Sequence, residues 1–321
     1  MTTSPLRVEN TAFLIEKLAS DCGPLQYIRE LTFNAIQAIQ ARRQQGWDGG
    51  GEIHWDVDWA ALEQQPGIYR LQISDNGTGM TGPEIERYIN SLSASGRVQG
   101  LDANYGLGAK ITAGVLNPAG LVYKSWIDGV GTMAILHKDR TADVYGLQQL
   151  RLPDGTFGHH GPISHDAKPD PIDTHGTAVV LFGQHDTDIT MKPAGQPLKW
   201  LSTRFFEISD DITIKVRDFS KSDPADWPSS KSTPMGEGGS QMRTVKGMRR
   251  HLEEHPKVTS GTVELSTARV RWYILPEDSI QQSDIWETAA HCAAIYQGEL
   301  YEMRTGRGAY ARIRDFGIVF G

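Results

Sequence analysis

The stretch IRELTFNAIQAI, residues 28–39, has apolar residues at helical spacing, yet it carries Glu30 and Asn34 four positions apart. That spacing puts both polar side chains on one stripe of a predicted helix, which begins near Pro24. An isolated pair of this kind is typical of the solvated face of an amphipathic helix. A chemical role for the pair therefore depends on what the rest of the chain supplies.

The bulk composition is that of a globular protein of about two domains: 321 residues, 39% hydrophobic and 22% charged. A net charge of −7 gives no general reason to expect nucleic acid, although a local basic face stays open. The two cysteines, Cys22 and Cys292, lack metal-ligand spacing and favour a reduced, cytoplasmic protein over a disulfide scaffold. The sequence has no apolar signal segment or membrane-length run, so we expect no membrane association.

The hydrophobic pattern predicts helices over 13–20, from Pro24 onward and over 83–93. It predicts strands in EIHWDVDW (52–59), GIYRLQIS (67–74), LVYKSWI (121–127), GTMAILH (131–137) and TAVVLFG (177–183).

A segment dense in Ser, Pro and Gly at 220–241 predicts a linker. We therefore expect one domain over 1–219 and a second over 242–321. The chain stops on the strand-like DFGIVFG, so the second domain is expected to be incomplete at its C-terminus.

A second polar signal lies in LQISDNGTGMT, residues 71–81, where a predicted strand runs into Asp75, Gly77 and Gly79. Glycines at alternate positions let a backbone turn sharply and approach a ligand closely, and a carboxylate at a strand end can accept a hydrogen bond from a ligand amine. The alternative is an ordinary turn, for which Asp-Asn-Gly is a favoured sequence.

A third signal is NYGLGAKITAG, residues 104–114, in which Gly106 and Gly108 precede a predicted helix with Lys110 in its first turn. Such a loop presents backbone N–H groups and the positive end of a helix dipole to an anion. The alternative is a flexible loop and a helix cap. A fourth, weaker signal is Thr177 at the start of a strand, where threonine is also common for β-propensity alone.

In this order the four segments resemble the GHKL ATPases, which include gyrase B, the ninety-kilodalton heat-shock chaperone, histidine kinases and MutL. The family's motifs match Glu30-Leu-Thr-Phe-Asn34-Ala35, Asp75-Asn-Gly77-Thr-Gly79, Gly106-Leu-Gly108-Ala-Lys110 and Thr177. The segment SASGR (93–97) is similar to the lid-entry segment of the chaperone branch. The resemblance covers roughly residues 20–185.

The resemblance implies an α+β fold, a Bergerat-type sandwich with a mixed sheet covered by helices, and a second, smaller α/β domain. It implies ATP and Mg²⁺ as cofactors, with Glu30 as general base and Asn34 as the metal ligand. Asp75 would accept the adenine amino group, and Thr177 would support Asp75 and a water. The implied nucleotide-binding residues are Asn34, Asp75, Gly77, Gly79, Met80, Gly106, Leu107, Gly108, Ala109, Lys110 and Thr177.

Histidine kinases usually carry asparagine where this chain has Glu30, so the resemblance favours the hydrolytic chaperone-, MORC- and MutL-like branches. They imply a switch in which ATP closes a lid over 94–112, protomers form a homodimer, and a protein partner or missing C-terminal region responds. Two alternatives stay open: a histidine-kinase-like phosphotransferase and a non-hydrolysing ATP-binding module.

The chain departs from the family in three respects. Gln37 and Ala38 stand where the chaperone and MutL branches usually have an acidic residue, and an insertion at 155–176 has no counterpart. The family's γ-phosphate contact from the second domain cannot be chosen among Lys246, Arg249, Arg269 and Arg271.

Several other patterns are weaker. The sequence has no G-x-x-x-x-G-K-[ST] phosphate loop, and GRGAYA (306–311) lacks the strand and helix of a dinucleotide site. The basic stretch RTVKGMRRH (243–251) is typical of a solvated helix face. Four histidines in one loop could bind a metal, but the loop has no helix or paired cysteines to fix their geometry, which favours a solvated loop; they are His159, His160, His165 and His175.

Overall fold

The computed structural model describes residues 10–90, 108–192, 195–254, 257–275, 285, 291–305 and 317–320. The chain forms two compact units, each built from two segments. The first unit comprises Met1–Lys192 and Phe219–Gln241, and the second comprises Pro193–Asp218 and Met242–Gly321.

The described residues of the first unit form four α-helices and nine strands. Its helices are α1 (Thr11–Ser20), α2 (Gln26–Gln44), α3 (Trp59–Gln64) and α4 (Gly82–Ile89), followed by a π-helical segment at Lys110–Gly114. Its strands are β1 (Gly51–Val57), β2 (Leu71–Asp75), β3 (Leu121–Ile127), β4 (Val130–Asp139), β5 (Val144–Leu147), β6 (Leu150–Arg151), β7 (Phe157–Gly158), β8 (Gly161–Pro162) and β9 (Gly176–Leu181).

The main sheet of this unit has the strand order β1-β2-β9-β3-β4-β5, and β8 pairs with β4. These neighbouring strands are antiparallel. Because side chains of paired residues share a face, one face is apolar along most of its length. One row of buried side chains across five strands consists of Trp55, Ile73, Val179, Tyr123 and Ala134.

Helix α2 packs on β1 and β2 because its sequence supplies an apolar stripe. Its buried residues include Ile28, Leu31, Ala35 and Ile39. The indole Nε1 of Trp55 donates a hydrogen bond of 3.0 Å to the hydroxyl of Thr32, which satisfies two polar atoms in the interface. The helix is thereby fixed in rotation, and this decides which of its side chains lie away from the sheet.

The second unit has its own core. Its elements include β10 (Ile212–Phe219) and β11 (Ser240–Thr244), which both run into the 219–241 segment of the first unit. The others are α5 (Gly195–Arg204), α6 (Met248–Glu253), β12 (Thr259–Glu264), β13 (Arg269–Ile274), β14 (His291–Tyr296), β15 (Glu299–Thr305) and β16 (Gly317–Phe320). Five of these strands form a mixed sheet in the order β12-β13-β16-β14-β15. A buried apolar cluster that includes Phe206, Met248 and Leu300 joins its two chain segments.

The predicted α+β class is confirmed at the coarse level, as a large sheet covered by helices. Most predicted elements of the first domain appear near their expected places, but the predicted strand 52–59 ends at Val57 and the predicted strand 67–74 begins only at Leu71. The last residues of the predicted helix 83–93 lie outside the described residues. Within the described ranges, no helix combines the length and apolar character needed to cross a membrane.

The compact units divide the chain differently from the predicted boundaries. Residues 193–218 belong to the second unit, and the segment predicted as a linker, 220–241, belongs to the first. The reason is Trp227, which is buried and stacks on Phe219 with ring centroids 4.4 Å apart. The hydroxyl of Tyr69 donates a hydrogen bond of 2.9 Å to the Trp227 carbonyl. A segment that looks like a linker by composition is therefore anchored by one aromatic side chain.

Replacing Trp227 by alanine tests this anchoring. We expect Trp227→Ala to lower the free energy of unfolding by about 3 kcal/mol, because it removes a buried aromatic side chain. Ser229→Ala, at an exposed position of the same segment, should change it by less than about 0.5 kcal/mol. The measurement is urea unfolding of both variants beside the wild type. Equal effects of the two changes would mean that the segment is a linker.

Candidate functional site

Helix α2 presents a second stripe of side chains at four-residue spacing: Glu30, Asn34, Ala38 and Arg42. At its first turn the stripe meets Gly108, where an added Cβ would lie 2.0 Å from Glu30 Oε2. Two turns later it meets Gly77, where an added Cβ would lie 2.5 Å from the Cβ of Ala38. Asn34 lies between these contacts and is exposed. Parts of three sequence motifs therefore meet on one side of one helix.

The carboxylate of Glu30 is buried and bound within its own helix. Gln26 Nε2 donates to Glu30 Oε1 at 2.9 Å, and Arg29 Nη1 donates to the same oxygen at 2.8 Å. The Arg29 guanidinium also lies over the ring of Phe33, with its Cζ 4.6 Å from the ring centroid. Glu30 is thus held through one oxygen, while the other faces the Gly108 backbone.

Asp75 ends strand β2 with its side chain buried. The Gly77 N–H donates a hydrogen bond of 2.8 Å to Asp75 Oδ1. Burial raises the pKa of this carboxyl to about 7, against the opposing influence of the Gly77 and Thr177 backbone N–H groups and the charge of Arg42. A carboxyl with a pKa so far from its usual value is typical of functional sites.

The loop after Asp75 crosses the end of β3 at very close range. Gly79 has φ +70, and an added Cβ there would lie 2.0 Å from the carbonyl oxygen of Trp126. Only glycine fits this position, because it combines a left-handed backbone with backbone contact. One residue on, the Met80 N–H donates a hydrogen bond of 2.8 Å to the hydroxyl of Ser125.

Thr177 lies directly beside Asp75 across the β2–β9 pairing, and Ser125 lies beside Thr177 across the β9–β3 pairing. The hydroxyls of Thr177 and Ser125 are 2.9 Å apart. Sequence reasoning missed Ser125, which stands in an apolar strand without any local pattern. Only the strand register identifies Ser125, because it places this residue two strands away from Asp75 on the same face of the sheet.

Two further residues that sequence reasoning missed hold the turn after β2. Asn76 accepts a hydrogen bond of 2.8 Å from the Glu52 N–H and donates one of 2.9 Å to the Gly50 carbonyl. Arg42, on the α2 stripe, donates to the Asn76 carbonyl at 2.7 Å. The turn is therefore tied to both β1 and α2. The sequence could have predicted the role of Asn76, because asparagine in an Asp-Asn-Gly turn commonly hydrogen-bonds nearby backbone groups.

The third motif is described only from Gly108 onward, so the predicted contacts of Gly106 and Leu107 and most of the predicted lid lie outside the described residues. Ala109 and Lys110 are buried, and the ammonium of Lys110 donates to the carbonyl of Tyr88. Burial lowers the pKa of Lys110 to about 8. In this conformation Lys110 contacts the end of α4, and its phosphate contact stays a prediction.

The sequence offers two sets of possible metal ligands: the amide of Asn34 and the histidines of the insertion at 155–176. Among the described residues, no group of three or more His, Cys, Asp or Glu side chains is placed to hold a metal, which includes the histidines of the 155–176 insertion. His160 instead packs against Gly82 at the start of α4. The exposed amide of Asn34 fits Mg²⁺, because this ion takes oxygen ligands, few of them from protein, and completes its shell with phosphates and water.

Comparison with known proteins adds no family: no protein-family model and no curated protein matches this chain.

The raised pKa of Asp75 makes a prediction for stability. Its pKa is 3.8 in an unfolded chain and about 7 when folded, so between these pH values the folded state binds more protons and stability falls as pH rises. Asparagine cannot ionise. We therefore expect the free energy of unfolding of the wild type to fall, relative to that of Asp75→Asn, by about 2–3 kcal/mol as the pH rises from 5 to 8.

The measurement is urea unfolding of both proteins at pH 5, 6, 7 and 8, compared pairwise. Other titrating groups are shared by the two proteins and cancel in the difference. A difference that stays constant across this range would mean that Asp75 is ionised throughout.

Proposed function

We propose that this chain binds ATP with Mg²⁺ and hydrolyses it, as a conformational switch of the GHKL type with a Bergerat-type site. The observation that carries the proposal is the second stripe of α2. It brings Glu30 against Gly108 and Ala38 against Gly77, with the exposed Asn34 between them. Residues of three motifs that are far apart in sequence therefore lie together along one side of one helix.

Asp75 supports recognition of the base. Two backbone N–H groups, of Gly77 and Thr177, already bind its carboxyl, and it has lone pairs left for a ligand amine. The glycines at 77 and 79 leave no side chain between the turn and its neighbours, so the backbone could also approach a flat ring. An adenine amino group is the donor that suits this acceptor.

Glu30 and Asn34 support the chemistry. Mg²⁺ held by the Asn34 amide oxygen would neutralise phosphate charge when bound. Glu30 lies one helical turn away and is buried, so its carboxylate can orient a water and take its proton. Phosphoryl transfer depends mostly on such positioning. Gln26 and Arg29 fix the direction of the Glu30 side chain through its Oε1.

The rest of the switch follows from the family resemblance. We propose that the ATP state is a homodimer, that the chain is cytoplasmic, and that the second unit or a protein partner responds to the nucleotide.

The test compares binding and turnover in three variants. We expect Glu30→Gln to bind Mg-ATP within about threefold of the wild type and to release phosphate about 10²–10⁴-fold more slowly, because the general base is lost. Asn34→Ala should lose most of its Mg-dependent affinity. Glu63→Gln, an exposed carboxylate on α3, should match the wild type in both. Binding is measured by calorimetry and phosphate release at steady state.

Protein concentration should be varied, because turnover that needs a dimer will rise with it. Wild-type protein that binds no adenine nucleotide would refute the proposal. Tight binding without turnover at any concentration would favour a non-hydrolysing module, and phosphate transferred to the protein would favour a kinase.

A further inference from the structure

The apolar face of the main sheet ends in a polar row. Asp75 on β2, Thr177 on β9, Ser125 on β3 and Thr132 on β4 are consecutive partners across the sheet. The neighbouring row on the same face consists of buried aliphatic and aromatic side chains. Ser125 is fully buried and Thr177 is half-buried. Buried hydroxyls are retained where their hydrogen bonds are satisfied.

The hydroxyl of Ser125 has three partners. It receives the Met80 N–H at 2.8 Å, it lies 3.0 Å from the carbonyl oxygen of Gly176, and it lies 2.9 Å from the hydroxyl of Thr177. A carbonyl oxygen can only accept, so the single proton of Ser125 points to Gly176. Its lone pairs then accept from Met80 and from Thr177. This is the only assignment in which all three contacts are hydrogen bonds.

The assignment fixes the proton of Thr177. Since Ser125 has no second proton to donate, the Thr177 hydroxyl must donate to it. The Thr177 hydroxyl makes no other hydrogen bond among the described residues. Its oxygen therefore offers only lone pairs to a ligand, beside the carboxyl of Asp75, which in its ionised form also only accepts.

We propose that Ser125 is a positioning residue that holds the Thr177 hydroxyl as an acceptor, and that the site thereby selects purines with a 6-amino group over those with a 6-oxo group. The inference rests on the proposed function and names the specificity of the same site.

The chemistry of the two base edges explains the selection. The amino group of adenine has two hydrogens, enough to donate directly to both Asp75 and Thr177. Hypoxanthine can donate its N1–H to Asp75, but its 6-oxo oxygen then meets the Thr177 oxygen, and two acceptors face each other. A buried acceptor pair of this kind lowers affinity by on the order of 100-fold.

The experiment measures the dissociation constants of Mg-ATP and Mg-ITP by calorimetry on the full chain at pH 8, where an Asp75 carboxyl with a pKa of about 7 is mostly ionised. We expect wild type to prefer ATP by about 100-fold. In Ser125→Ala the preference should fall to about 10-fold or less, because the freed Thr177 proton can turn toward the 6-oxo group. Affinity for ATP itself should weaken only a few-fold. Thr132→Val removes a hydroxyl from the same row one strand further on and should keep the wild-type preference.

A double-mutant cycle separates positioning from structure. Ser125→Ala should leave the ATP:ITP ratio unchanged when Thr177 is already valine, because there is no hydroxyl left to orient. Ser125→Cys, with a weaker acceptor and donor, should give an intermediate ratio and serves as the comparison if Ser125→Ala does not fold.

The outcomes are distinguishable. Equal loss of ATP and ITP affinity in Ser125→Ala, or equal binding of the two nucleotides by wild type, overturns this inference and leaves the proposed function standing. No binding of either nucleotide by wild type overturns both.

Discussion

The close approach of helix α2 to two glycine backbones is the constraint on which the candidate site depends. Any side chain at Gly108 would collide with the Glu30 carboxylate, and any at Gly77 would collide with Ala38. Protein interiors are too densely packed to absorb such overlaps without shifting an element. A displaced α2 would separate the Glu30–Asn34 pair from the turn that follows Asp75. Because Gly77 and Gly108 have no side chains, α2 can pack this closely, and this packing sets the position of its polar stripe.

The same dense packing buries the carboxyl of Asp75, which destabilises the fold when that carboxyl is ionised. A carboxyl at the end of an otherwise apolar face is folded more easily when neutral, which is why its pKa rises to about 7. Backbone N–H groups of Gly77 and Thr177 offset part of that cost, and Arg42 adds its charge from α2. A sheet evolved for stability alone would place an apolar residue here. A buried carboxyl with a raised pKa at the edge of a close-packed turn is typical of a binding site.

The sequence predicted what is local and missed what depends on register. The Glu30–Asn34 spacing and the glycines at 77 and 79 carry their geometry in a few adjacent residues, so helix, strand end and turn could be predicted. Ser125 could not, because its neighbours Thr177 and Met80 are far away in sequence. At 220–241 the Ser, Pro and Gly content predicts a linker, but the buried side chain of Trp227 packs this segment into the first unit. The conformation of Lys110 also escaped prediction, since a carbonyl at the end of α4 competes for its charge.

Both charged groups that the proposed chemistry would use already have protein partners. Arg29 and Gln26 bind Glu30, and the Tyr88 carbonyl binds Lys110. A phosphate chain that recruited Lys110 would have to replace that carbonyl, and it gains only the difference between the two contacts. Under this proposal a bound nucleotide would have to replace the contact between Lys110 and the Tyr88 carbonyl. A ligand that binds both conformations equally would leave the populations unchanged however tightly it bound. Slow turnover by an isolated chain would follow from this competition as readily as from a weak catalytic base.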